Sequence, residues 1–237
     1  MTIFRESFRM LGAMAIAMYV NRCLADQPDV PPSHEISLAH AISAADELDA
    51  VRGLAREFST SYGVLRLQDS GLYGNRTAAT HRVYARAGHS MSQAIQMLNQ
   101  KSVKYGVRFV AGVVVATDKE IADNVNPLLI VTRDFKYKGT VDGLIQKITK
   151  DILNMGPPMY AFSNGSGQEM LAQPIEIETD GAYPVVEILA QMSCAIDLNW
   201  LITLMPNARE LTVDRTTDEI HAAPKTRLMI TLGRDTK

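Results

Sequence analysis

The chain has 237 residues with a formal net charge of -2, 46% hydrophobic and 21% charged residues, 12 methionines and two cysteines. This length suffices for one large core plus an appended segment, and the near-neutral charge excludes a global attraction to nucleic acid or acidic lipid. Cys23 and Cys194 form no CxxC pair, so spacing indicates neither a disulfide framework nor a thiolate zinc site, and a reducing, cytoplasmic compartment is the simplest expectation.

The first 32 residues stand apart. At about 100° per residue, Ile3, Phe4, Phe8, Met10, Leu11, Met14, Ala15 and Met18 share one half of a helical wheel, with Arg5, Glu6 and Arg9 on the other. Asp26 and Pro28 end this helix, and DQPDVPP is an acidic, proline-rich link that cannot continue it. The uncharged run Met10–Val20 falls well short of the ~20 residues that cross a bilayer. Three fates compete: a cleaved signal peptide, a helix packed on its own body, and an arm that docks on a neighbouring subunit. Arg5, Arg9 and Cys23-Leu24-Ala25 fit a signal loosely, while Glu6 and Arg22 oppose it. The arm is preferred, with Phe4, Phe8, Leu11, Met14 and Met18 as the partner-binding residues. Methionine side chains adapt to slightly different partners.

The body, residues 33–237, reads as one α+β domain. Ser43-Ala44-Ala45-Asp46 resembles a capping box before a helix carrying Leu48, Val51, Ala55 and Phe58, with Gly63 as its stop and Ile36 to Ile42 as an earlier turn. Val64 to Leu67 reads as a strand and DSGLYGNRTA as a surface loop. His81 to Ala85 is a further strand. Ser90-Met91-Ser92-Gln93 is an S-x-x-Q box opening a helix that runs to Tyr105 and closes at Gly106. Val107 to Ala116 and Leu128 to Asp134 are apolar runs expected to form neighbouring buried strands. Thr140 caps a helix striped by Val141, Leu144, Ile145, Ile148 and Ile152 and stopped by Gly156-Pro157-Pro158; Ile175-Glu176-Ile177-Glu178 alternates as a strand.

Residues 81–179 thus spell β-α-β-β-α-β, the order of a ferredoxin-like core with helices on one face of a mixed or antiparallel sheet. A helix starting at Pro184 and three strands, Trp200 to Met205, Glu210 to Asp214 and Arg227 to Leu232, complete the expectation.

No chemical motif is diagnostic. Ser163-Asn164-Gly165-Ser166-Gly167 lacks the Gly-Lys-Ser/Thr ending of a P-loop, and His34, His40, His81, His89 and His221 show no metal spacing. No G-x-S-x-G occurs. The candidate RNA-binding surface lacks its aromatics, since Val107 to Ala116 offers only Phe109. No catalytic residue, cofactor or metal is expected. The chain reads as a structural or assembly protein that forms homo-oligomers through its N-terminal arm, as do components of viral, phage and cellular shells. The alternatives are a hydrolase with its site on loops 68–80 and 160–170, and a secreted or periplasmic binding protein.

Overall fold

The computed structural model describes residues 36–68, 81–162, 167–213 and 220–234, with the backbone alone for 206–213 and 220–225. The chain divides into two units, Met1–Glu35 and Ile36–Lys237, and every described residue belongs to the second. The expected N-terminal helix, the expected loop 69–78 and residues 163–166 of the glycine-rich stretch lie outside the described residues.

The protein is of the α+β class. In chain order the elements are β1 (Ile42–Ala44), α1 (Glu47–Glu57), β2 (Ser61–Leu67), β3 (Arg82–Ala85), α2 (Met91–Lys101), β4 (Tyr105–Val110) and β5 (Val113–Asp118). Two 3-10 turns lead to β6 (Val131–Arg133), β7 (Lys136–Thr140) and α3 (Val141–Lys147), which runs on as a π turn over Ile148–Ile152. Then come β8 (Met159–Phe162), α4 (Gly167–Leu171), β9 (Pro174–Glu178), β10 (Ala182–Pro184), α5 (Val185–Ile196), β11 (Asn199–Val213) and β12 (Ile220–Gly233).

A six-stranded mixed sheet, ordered β4-β5-β2-β11-β12-β8, is the frame. The pairs β5/β2, β2/β11 and β12/β8 are parallel, while β4/β5 and β11/β12 are antiparallel. Adjacent residues along its strands feed two separate cores. Val64, Val107, Val114 and Ala116 pack with Ala50, Val51 and Leu54 of α1 and Ala94 and Leu98 of α2. Leu65, Val113, Val115, Ile202, Leu228 and Ile230 pack with Leu144, Ile145 and Ile148 of the α3 segment and Ile188, Leu189 and Met192 of α5. Helices therefore cover both faces, which corrects the expectation of one. This is why Val113–Ala116 is an unbroken apolar run, wholly buried.

Local signals account for most helix starts. Ser90 accepts from Gln93 N–H at 3.3 Å while the Gln93 side chain accepts from Ser90 N–H at 3.0 Å, completing the expected capping box. Thr140 caps α3 by accepting from Gly143 N–H at 3.2 Å. The cap of α1 is Asp46, which accepts from Asp49 N–H at 2.7 Å, and not Ser43, which belongs to β1. The Thr149 hydroxyl donates to the Ile145 carbonyl at 2.8 Å, and Leu153 N–H reaches back five residues to Ile148 O, the geometry of the π turn. Lys136 opposes Glu178 and Lys138 opposes Glu176 on the wet face of β7/β9, while Ile175 and Ile177 turn into the core.

Several expectations fail for tertiary reasons. Val107 to Ala116 is a hairpin: Ala111 and Gly112 both have positive φ, 45° and 88°, and join β4 to β5 in a two-residue turn. The run from Leu128 is no interior strand, since Leu128 sits in a 3-10 turn and, among the described residues, β6 pairs only with β10, leaving Ile130 and Val131 exposed. Helix α2 ends at Lys101, with Tyr105 and Gly106 in β4. Residues 81–179 form no self-contained ferredoxin-like sheet, because only β4, β5 and β8 of that span enter the frame, whose centre is supplied by β2 and β11. The expected strands at 200 and 210 are one strand, β11, with an irregularity between Met205 and Ala208. Beyond Met205 it continues with β12 as a two-stranded ribbon whose last six pairs span about 20 Å.

Candidate interaction surface

The two edges of the central sheet are built from different materials. Edge strand β4 is capped by side chains at Tyr105 and Val107. Glu47, first residue of α1, accepts from the N–H groups of Val103 at 2.7 Å, Lys104 at 3.0 Å and Tyr105 at 3.2 Å, and from the Ser102 hydroxyl. Asn99 of α2 accepts from Val107 N–H at 2.6 Å and donates to Val107 O at 2.7 Å. Burial on its own would raise the Glu47 carboxyl, but the bonds from Ser102 and the three N–H groups outweigh it and hold the group below the usual carboxylate range.

Edge strand β8 is finished otherwise. Among the described residues no side chain bonds the backbone of Met159–Phe162, and Met159 and Phe162 are 42% and 40% exposed. Tyr160 and Phe162 share one face, their rings stacked with centroids 6.2 Å apart. The Tyr160 phenol donates to Asp142 Oδ1 at 2.7 Å; burial, then this bond and the Asp142 charge, keep it protonated far above the ordinary tyrosine range.

A cleft of about 630 Å³ opens beside α1, within the range of small-ligand sites. Its walls include Leu48, Arg52, Arg56, Tyr62, His81 and Leu201. Arg52 pairs with Asp49 at 3.0 Å and lies 6.0 Å from the centre of the Tyr62 ring. The carboxyl ends of the parallel strands β2 and β5 carry buried Asp118, which accepts from Glu120 N–H at 3.0 Å and Leu67 N–H at 3.4 Å. That carboxylate ties the two strand ends together.

Of the residues singled out by their sequence patterns, the described ones do not converge on one site. Phe4, Phe8, Leu11, Met14 and Met18 lie outside the described residues, as does Ser166. His81 lines the cleft, His89 accepts from Arg86 N–H at 3.4 Å in the turn before α2, and exposed His40 pairs with Glu57 at 3.2 Å. Among the described residues, no three His, Cys, Asp or Glu side chains group to hold a metal ion, and no helix is long and apolar enough to cross a membrane. Cys194 donates to Ala111 O at 3.3 Å, and burial raises its thiol pKa, so its thiolate is disfavoured. Sequence reasoning missed both the closed β4 edge and the open β8 edge. Glu47 and Tyr105 are 58 residues apart, and no local pattern joins them.

Comparison with family models, curated proteins and solved structures finds no match to this chain.

Proposed function

We propose that this chain is a structural or assembly component that self-associates through its N-terminal segment. The observation that carries this reading is the division of the chain between Glu35 and Ile36, three residues after the acidic proline-rich link that follows the amphipathic stretch. Burying Phe4, Phe8, Leu11, Met14 and Met18 would contribute a gross ~7 to 15 kcal/mol. Association costs an estimated ~4 to 15 kcal/mol, so one arm alone gives marginal pairing and further contacts between bodies must assist. The test is sedimentation of the full-length chain beside Phe4→Asp with Leu11→Asp. A lower oligomeric order at unchanged melting temperature supports the reading; an unchanged order with early melting places the helix in its own core and defeats it.

The cleft favours a second reading, a binding protein for a small organic anion held at Arg52 and Arg56. A citrate-induced rise in melting temperature that disappears in Arg52→Gln with Arg56→Gln would support it.

A further inference from the structure

An edge strand presents unpaired N–H and C=O groups and is a template for another strand unless something blocks it. In this sheet one edge is blocked and the other is open. Glu47 and Asn99 occupy the outward groups of β4 at Tyr105 and Val107. Nothing among the described residues occupies those of β8, which carries exposed Met159 and Phe162.

We infer that β8 is a self-association edge, where two copies pair β8 against β8, antiparallel about a two-fold axis, so that two six-stranded sheets run into one. The occupant follows from the asymmetry. The central sheet of a second copy offers two edges, and its β4 is already occupied at Tyr105 and Val107. Head-to-tail addition, which would propagate into a filament, is therefore blocked, and the open edge meets only another open edge. Such a contact is isologous and closes at two copies.

The pleat then fixes the register. Residues directly opposite in an antiparallel pair lie on the same face, and a two-fold axis normal to the sheet preserves each residue's face. Opposed residues must therefore differ in number by an even amount. Pro157 and Pro158 bound the strand on its N-terminal side, where proline interrupts pairing. Centring on Ala161 sets it opposite its own copy and sets Tyr160 opposite Phe162 of the second copy, twice over. The intrachain Tyr160–Phe162 stack, with its rings 11° from parallel, then meets its copy side by side, giving a two-by-two cluster of four rings. Tyr160 is held for this by its bond to Asp142.

A four-residue strand is a small contact beside the ~800 Å² per partner of a stable interface. It supplies the kind of body-to-body contact that a marginal arm requires, and it does not depend on the arm.

Opposed residues in an antiparallel pair have Cα atoms about 4.5 to 5.5 Å apart, within disulfide reach. The test uses full-length chain in a Cys23→Ser, Cys194→Ser background, carrying either Ala161→Cys or Phe109→Cys, oxidised with copper phenanthroline. The expected result is a covalent dimer from Ala161→Cys and none from Phe109→Cys on the β4 edge, where Tyr105 and Val107 are already occupied. Adding Phe162→Lys, with circular dichroism confirming the fold, should abolish the dimer. Equal cross-linking at both edges, no cross-link at Ala161→Cys, or a cross-link that survives Phe162→Lys overturns the inference. Introducing Phe4→Asp with Leu11→Asp separates it from the arm: an intact cross-link supports pairing by the edge, and its disappearance overturns it.

Discussion

Gly63 is the position where one added methyl group should do most damage. Gly63 of β2 is paired in register with Trp200 of β11, and the indole lies across the space a side chain would take. A Cβ at Gly63 would sit 2.6 Å from Trp200 Cη2 and closer still to two other ring atoms. Trp200 is 1% exposed and packed in the same core as Leu65, Ile202 and Leu232, so the ring has no open side toward which to tilt. Overpacking a filled core costs about 1 to 3 kcal/mol, and a rigid, enclosed ring places Gly63→Ala at about 3 kcal/mol. For a chain of this size that lowers the melting temperature by roughly 6 to 12 °C. Differential scanning calorimetry of Gly63→Ala, Trp200→Leu and the double variant reads both the cost and its origin. Trp200→Leu should cost about 2 to 4 kcal/mol by itself, and the double variant should cost at least ~1 kcal/mol less than the sum, because the smaller side chain makes room for the methyl. A Gly63→Ala protein melting within about 2 °C of wild type, or strict additivity in the double variant, would refute the steric argument.

Glu47→Gln should cost about 2 to 3 kcal/mol at neutral pH, since the four donors are shared between two carboxylate oxygens and the amide keeps only one acceptor, its NH2 group being unable to accept. The folded carboxyl is depressed, so its stabilisation is present above the unfolded value of about 4.3 and is lost as pH falls through the folded value. Urea unfolding at about pH 7 and pH 3 should show the wild-type advantage over Glu47→Gln shrinking with acid; an advantage that grows with acid contradicts the assignment. Asn99→Ala should cost about 2 kcal/mol and leave both Val107 groups bare, so sedimentation should reveal species larger than wild type as the β4 edge opens. Ala111→Gly should stabilise the chain by about 0.5 to 1 kcal/mol, because alanine at a φ of 45° is strained where glycine is not; a drop in melting temperature would count against the tight hairpin.

Signals carried by a few neighbouring residues were legible in the sequence. The Ser90–Gln93 box, the Thr140 cap, the stripe from Val141 to Ile152 and the alternation Ile175–Glu178 are local patterns of hydrogen bonding and burial, and the fold reproduces each. The α+β class follows from such signals, because helix and strand periods are properties of the chain itself. What those elements pair with is another matter. Leu128 to Asp134 and Val107 to Ala116 look alike as apolar runs, yet one folds back on itself as a hairpin and the other splits between a 3-10 turn and a short exposed strand. Burial depends on what covers a strand, and for the Val107–Ala116 hairpin that covering comes from the neighbouring α2 together with α1 and α5, both distant in sequence. The state of the sheet edges is decided the same way. Glu47 reaches the start of β4 only because α1 packs on Val64 of β2 and Val114 of β5, while β8 ends the sheet because β11 and β12 come between it and β2. Hydrogen bonds within a turn of helix are set by the local chain, whereas a contact spanning 58 residues exists only after the cores have placed both partners.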